Sequence, residues 1–372
     1  MIKFPTLITP ENDQAGSRQI AFFAAFILPV YKFLELPSIL ARFTGGDLLL
    51  PALLQYVFQA GVLLALLFVI SRLEKPLFEI LKERLGKWAA IFYGLYVFYF
   101  LFAAMLPLLD LDKFIYAAFY DTAPTFFSFV FFFILSAYVC SRGTKTLGRI
   151  ADLSLFLFLL PFFALLVMSL TEADASNLLP IFEHRLERTM SAFTYTAPHF
   201  SDAVFLLPLL GNLRYKKGDA KKIALGYGLG GVFTLLFLGI FYGVYSTIAA
   251  REHYAFSKIA QYFPALTVIG RIDLLFVYLL CILLFIYVAT PLHYATDFTT
   301  CLFGGKRRVW FAAAFNVAAL IFTLFCNQHY NAIYALFGQY LFPVFWVFAD
   351  LFPLALLLLL IKKRKKEKRV HA

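Results

Sequence analysis

From residue 20 onward the chain alternates long apolar runs with short polar ones, and the runs hold roughly 20 residues, the length a helix needs to cross ~30 Å of hydrocarbon. Runs bounded by charge, Pro and Gly fall at about 20–41, 48–70, 88–109, 125–140, 150–170, 194–213, 223–249, 272–302, 309–326 and 338–361. The pattern predicts an all-α polytopic membrane protein of ten transmembrane helices. A short segment, 1–19, precedes the membrane domain, 20–361, and a basic tail, 362–372, follows it. Two runs depart from the plain apolar pattern. The first carries Lys32 about a dozen residues in, beside Pro29 and close to Glu35. The sixth, 191–213, contains Pro198, His199, Ser201, Asp202 and Pro208.

An ammonium group inside a span costs ~2.5 kcal/mol or more, so Lys32 needs a partner or a function. Two readings are open. Lys32 snorkels or pairs with Glu35, three residues on and on the same helix face. Alternatively Pro29 loosens the helix and Lys32 faces a cavity, as a fixed charge for a ligand carboxylate or in the place of a coupling cation. Pro198 cannot donate to the helical ladder, so the sixth span is expected to open there, with its backbone lining protein or water. Ser201 or Asp202 then caps the restarted helix, and its N–H groups form a polar site. An aspartate there also suits neutralisation of Lys32. If ten spans divide five and five, about 20–170 and about 194–361, the Pro-interrupted spans are the first of each half, the signature of an inverted-repeat transporter fold with its site at mid-membrane.

Composition agrees: 62% of residues are hydrophobic, 15% are charged and Phe alone numbers 47. The net charge of +11 raises the question of nucleic acid, but the Lys and Arg residues sit in short loops and in the tail. Connections on the side of the termini hold 25 of them and the opposite side 7, which places both termini in the cytoplasm. The tail "KKRKKEKRVHA" reads as a stop-transfer anchor facing anionic lipid. Cys140, Cys281, Cys301 and Cys326 lack metal spacing and read as small core residues. No apolar core precedes residue 20, so the first span is expected to serve as an uncleaved insertion signal. Two longer connections, 171–193 and 251–271, carry amphipathic stretches, the second read as a helix lying at the interface.

Asp350, between Pro343 and Pro353, is either part of a proton path or a paired residue inside the bundle. His293 and Asp297, four apart, read as an interfacial polar pair, and Asp110, Asp112 and Lys113 as solvated. No phosphate loop, zinc spacing or nucleophile elbow is present, so enzymatic chemistry has no support, and neither a cofactor nor a metal is implied.

The block "SRGTKTLGRIADLSLFLFLLPFFALLVMSLTEADASNLLPIFEHRL" resembles the Arg-Gly, Ala-Arg-x-x-Glu, apolar span, Asp-x-x-Asn-Leu-Leu-Pro order of the spore germination B-subunit or spore permease family, within the amino acid, polyamine and organocation transporter superfamily. "LELPSILARFTGGDLLLPALL" resembles that family's end of span one and start of span two. Where the family has Phe-Gly-Glu opening span six, this chain has Phe200, Ser201 and Asp202, and Asp152 likewise replaces a longer glutamate. Lys32 stands where a small or apolar residue is expected, so a lysine filling a cation site suggests that no sodium is needed.

The resemblance implies a leucine-transporter-like fold of two inverted five-helix repeats with helices one and six broken. It also implies one subunit of a germinant receptor in the spore inner membrane, beside an A-type and a lipoprotein C-type subunit, binding a small germinant, often an amino acid. The ligand set expected on this reading is Pro29, Tyr31, Lys32, Pro198, His199, Ser201 and Asp202, with Asp350 and Glu35 as candidate proton relay. A proton-coupled amino acid permease, with Asp202 or Asp350 as the relay, is the competing expectation. A scaffold whose polar residues serve only helix packing is a third.

Overall fold

The computed structural model describes residues 15–73, 75–119, 125–179, 186–261, 273–303 and 307–356. The N-terminal 14 residues, the basic tail and parts of the 171–193, 251–271 and 303–308 connections lie outside them. Among the described residues the chain is helical throughout, without strands. Six helical stretches are long and apolar enough to cross a membrane: Leu36–Ile70, Trp88–Ala117, Thr144–Leu170, Asp219–Arg251, Leu274–Phe303 and Arg308–Gln339. Phe129–Ser141 and Phe342–Leu356 are shorter apolar helices. The protein is therefore a multi-pass membrane protein.

The first predicted span is built in pieces: α1, Ser17–Phe22; a π-helical turn, Phe23–Ile27; α2, Leu28–Lys32; and, after a break at residues 33–35, α3, Leu36–Thr44. Pro29 is not the break, contrary to the sequence reading. A proline lacks an N–H and crowds the carbonyl four residues back, and here the widened turn just before Pro29 absorbs that defect. The same device recurs in the last helix, where α16, Phe342–Phe345, passes into a π-helical turn, Trp346–Leu351, two residues before Pro353. The true break lies four residues beyond Pro29 and is followed by Pro37 near the start of α3.

Between these lie α4, Leu49–Ile70; α5, Leu77–Leu85; α6, Trp88–Phe119; α7, Thr125–Ser141; and α8, Thr144–Leu170. The sixth predicted span is also divided: α9, Leu186–Tyr195, a 3-10 turn at Ala197–Phe200, a non-helical Ser201, and α10, Asp202–Asn212. Then follow α11, Asp219–Tyr245; α12, Ala255–Gln261; α13, Asp273–Phe303; α14, Arg308–Cys326; and α15, Tyr330–Gln339.

The most extensive packing is α13 against α6, while α7 packs on α14 and α13. α1 lies on α8 and α11, and its approach to α11 is backbone on backbone. A Cβ at Gly226 would come within 2.4 Å of the Ala21 carbonyl, and one at Gly230 within 2.6 Å of the Ala24 carbonyl. Small residues four apart thus let the two rods touch without intervening side chains. At the N-terminal end of this contact Arg18 and Gln19 bind Asp152 of α8 at 3.0 and 2.7 Å, and Ser17 donates to Asp219 of α11 at 2.8 Å.

The break in the first span frees carbonyls that need donors. They come from the start of α12: Phe256 N–H donates to the Phe33 carbonyl at 3.1 Å and Ala255 N–H to that of Leu34 at 3.0 Å. Ala255, Phe256, Ile259 and Ala260 are buried. The described part of the 251–271 connection therefore packs its apolar residues against the bundle, and the rest of the stretch read as an interfacial helix lies outside the described residues.

Candidate functional site

The two breaks meet. Lys32, the last residue of α2, is 1% exposed, and its Nζ lies 2.7 Å from Oδ1 of Asp202, the first residue of α10, itself 2% exposed. Each rod ends on the charge that complements the other. Asp202 Oδ2 also accepts from the Tyr227 hydroxyl of α11 at 3.0 Å. The rings of Phe200 and Tyr56 lie 5.2 and 5.5 Å from the ammonium, a cation–π setting in place of water. The local alternative, Lys32 with Glu35, is not what forms: the break turns Glu35 away, and its Oε2 binds His253 Nδ1 at 2.9 Å. Lys32 is buried with the carboxylate and the two rings around its ammonium.

α10 begins without a side-chain cap. The Ser201 hydroxyl is buried near that of Tyr99 with no well-formed hydrogen bond, and Asp202 is committed to Lys32 and Tyr227. The buried N–H of Ala203, at the start of the helix, is met by Gln59 Oε1 of α4 at 3.2 Å, and the same amide donates to Asp350 Oδ1 at 2.8 Å. One glutamine thus ties the restart of the sixth span to the π-turn of the last helix, and Asp350 is a paired residue inside the bundle.

His199 is buried, with its ring stacked on Tyr31 at 5.1 Å and 8°, and Tyr31 stacks on Tyr287 in turn. His199 Nε2 lies 3.4 Å from the Tyr334 hydroxyl of α15, and its Nδ1 has no partner among the described residues. Pro29 is buried against α11, where its ring would touch a Cβ at Gly230, and Pro198 sits in the 3-10 turn. The structure thus brings Tyr31, Lys32, His199, Ser201 and Asp202 to one junction, with Pro29 and Pro198 in the backbone around it. Glu35 is bound by His253 and Asp350 by Gln59, so the two candidate relay residues have different partners.

Tyr334 leads from this junction to a cavity of about 410 Å³ at the far end of the first span from Ser17. Its walls carry Glu35 and Arg42 on one side, Tyr330 and Tyr334 on the other, with Tyr195 and His253 between. The two walls are clasped beneath by Asp110. The Tyr31 hydroxyl donates to one of its oxygens and the Tyr330 hydroxyl to the other, both at 2.7 Å. Asp110 and Asp112 are 0% and 2% exposed, so the reading of both as solvated is corrected. They continue a helix that runs ten residues past the end predicted for its span, and other elements cover them there.

The remaining polar cluster is structural. Asp297 of α13 meets His293 at 3.2 Å, accepts from Thr144 at 3.3 Å and pairs with Arg308 of α14, whose Nε donates to the Cys140 carbonyl at 3.1 Å. This fastens α7, α8, α13 and α14 together, so the predicted interfacial pair is part of a buried network, with His293 fully covered. The four cysteines are free thiols, two of them buried.

Sequence reasoning did not single out Arg42, Gln59, Tyr227, His253, Tyr330 or Tyr334. Only the last two left a signal, tyrosines four apart on one helix face.

Comparison with known proteins accords with this architecture. The chain is 24% identical over 304 residues to Spore germination protein KB of Bacillus subtilis (strain 168), an alignment covering 78% of this chain and 80% of that protein. The family described as Spore germination protein, the spore permeases, matches residues 33–331. That match takes in the break after Lys32, the junction at Asp202 and the walls of the cavity as far as Tyr330, and the chain belongs to the spore germination protein family.

Proposed function

We propose that this protein is the integral membrane subunit of a spore germinant receptor, and that a small germinant, an amino acid, acts where the broken first and sixth spans meet. Family membership supports a role in germination. The observation that carries the finer reading is the Lys32–Asp202 pair, a 2.7 Å bond between the ends of two interrupted rods. A zwitterion carries the same two charges. Its carboxylate competes for Lys32 and its ammonium for Asp202, so its arrival replaces one internal bond by two to the ligand and lets the breaks separate. The germinant must bind the separated arrangement more tightly than the closed one, since only differential affinity shifts the population.

On this reading the ten predicted spans form the leucine-transporter-like pair of inverted repeats, about 20–170 and about 194–361. The domain sits in the spore inner membrane with both termini and the basic tail cytoplasmic. An A-type subunit and a lipoprotein C-type subunit read the rearrangement. Spores carrying Lys32→Leu or Asp202→Ala protein at normal abundance should lose most of their sensitivity to germinant. Unchanged sensitivity overturns the site. Uptake of labelled amino acid by the protein alone in liposomes would instead make it a permease.

A further inference from the structure

The central junction is closed, whereas the cavity at the far end of the first span is open and bears charge of both signs. Glu35 is 5% exposed yet engages only one of its oxygens, Oε2, with His253 among the described residues. Arg42 is exposed, its Nε donates to the Ala250 carbonyl at 2.8 Å, and its Nη2 meets His253 Nε2 at 3.3 Å. An arginine has no acceptor, so His253 Nε2 accepts from Arg42 and Nδ1–H donates to Glu35. In its neutral form the imidazole therefore bridges a buried carboxylate and a guanidinium. The gap between those poles is the width of a five-membered ring plus two hydrogen bonds. The ammonium and carboxylate of an α-amino acid, with a hydrogen bond at each end, have the same reach.

His253 reaches this place from the connection after α11, next to Tyr254, whose φ of 57° is in the left-handed region that non-glycine residues seldom occupy. The cavity volume of about 410 Å³ falls within the ordinary range of small-molecule sites and leaves room for a side chain between the tyrosine walls.

We propose that this cavity is a second amino acid site, outside the central junction, in which the ligand carboxylate takes Arg42 and the ligand ammonium takes Glu35, displacing His253 as the bridge. The proposal rests on the reading that the protein senses a small amino acid, and it adds where the ligand first lodges. From there the ligand touches Tyr334, whose hydroxyl contacts His199, whose ring stacks on Tyr31, the residue before Lys32.

The test is thermal unfolding of the full-length protein in detergent with a mixture of the twenty proteinogenic L-amino acids, and with the mixture of their α-carboxamides, which lack the carboxylate. The amino acids should raise the melting midpoint and the amides should not. Arg42→Gln should move the concentration for half the shift upward by about 10- to 100-fold, the loss expected for charge-assisted hydrogen bonds. Arg42→Lys should recover part of it. The uncharged double variant Lys32→Met with Asp202→Asn, which removes the central charges without stranding either, loses whatever the central junction adds but should still show a shift from the amino acids that the amides do not give. Loss of the shift in that double variant together with its retention in Arg42→Gln overturns the outer site while leaving the central reading standing. No shift in the wild type, or equal shifts from acids and amides, overturns the outer site outright.

Discussion

Removal of one member of the Lys32–Asp202 pair is the sharpest probe of the junction, because the two single changes and the double change separate in magnitude. At 2.7 Å and an effective dielectric of about 20, the attraction between the charges is roughly 6 kcal/mol. Burial sets several kcal/mol of desolvation per ion against it, so the intact pair is close to neutral relative to an uncharged junction. Lys32→Met leaves a carboxylate with only the Tyr227 hydroxyl, and Asp202→Asn leaves a buried ammonium without its counter-charge, with a neutral amide oxygen, two aromatic rings and a distant carbonyl around it. Each single variant should lose about 3–5 kcal/mol, whereas the double variant should lie within about 2 kcal/mol of the wild type. The measurement is the apparent melting midpoint of the detergent-purified protein by size exclusion after heating, with membrane abundance as a second readout. Single variants should fall by several degrees and the double should recover. If the two single losses simply add in the double, the charges are not a coupled unit and the junction described here is wrong.

Three other outcomes follow from specific contacts. Gly226→Leu places side-chain atoms where the Ala21 carbonyl now sits, 2.4 Å from a Cβ, and should cost about 1–3 kcal/mol and lower abundance, whereas the same change at Gly228, which has nothing within 4 Å, should be silent. Gln59→Leu strands the Ala203 N–H and one Asp350 oxygen and should cost about 2–5 kcal/mol in the same unfolding assay, while Asp350→Asn, which still accepts from Gln59, should be tolerated. The Glu35 hydrogen bond holds His253 above its ordinary pKa, against desolvation and Arg42. A raised folded-state pKa means stability that is fully present below about pH 6.5 and lost as pH rises through the folded value. Because His253 is about half exposed, the effect should stay under about 1 kcal/mol, and the midpoint difference between wild type and His253→Gln should shrink between pH 5.5 and 8.5. A constant difference would remove the bond from that role.

The long apolar runs made the membrane spans legible, and the buried-charge argument made Lys32 and Asp202 legible, because an ion in hydrocarbon demands a partner wherever the partner lies in sequence. Proline position was a poorer guide. Pro198 does sit at an interruption, but Pro29 and Pro353 are each absorbed by a π-turn, a backbone adjustment that no residue type announces. Asp110 was misjudged because helix length, not composition, decides whether a carboxylate beyond an apolar run meets water or protein. Its partners, Tyr31 and Tyr330, lie 79 and 220 residues away, and nothing local encodes such pairings. The Glu35–His253–Arg42 bridge was hidden for the same reason, 218 and 211 residues separating its contacts.

A single ion pair at the meeting point of both interruptions also sets a timescale. Neither half-rod can swing alone without tearing an ammonium from a carboxylate in oil, and an unassisted opening that costs about 4 kcal/mol is visited roughly one time in a thousand. Spontaneous excursions are therefore rare and brief. Such a latch holds the two half-rods together by its depth, and weakening it would let them part more often.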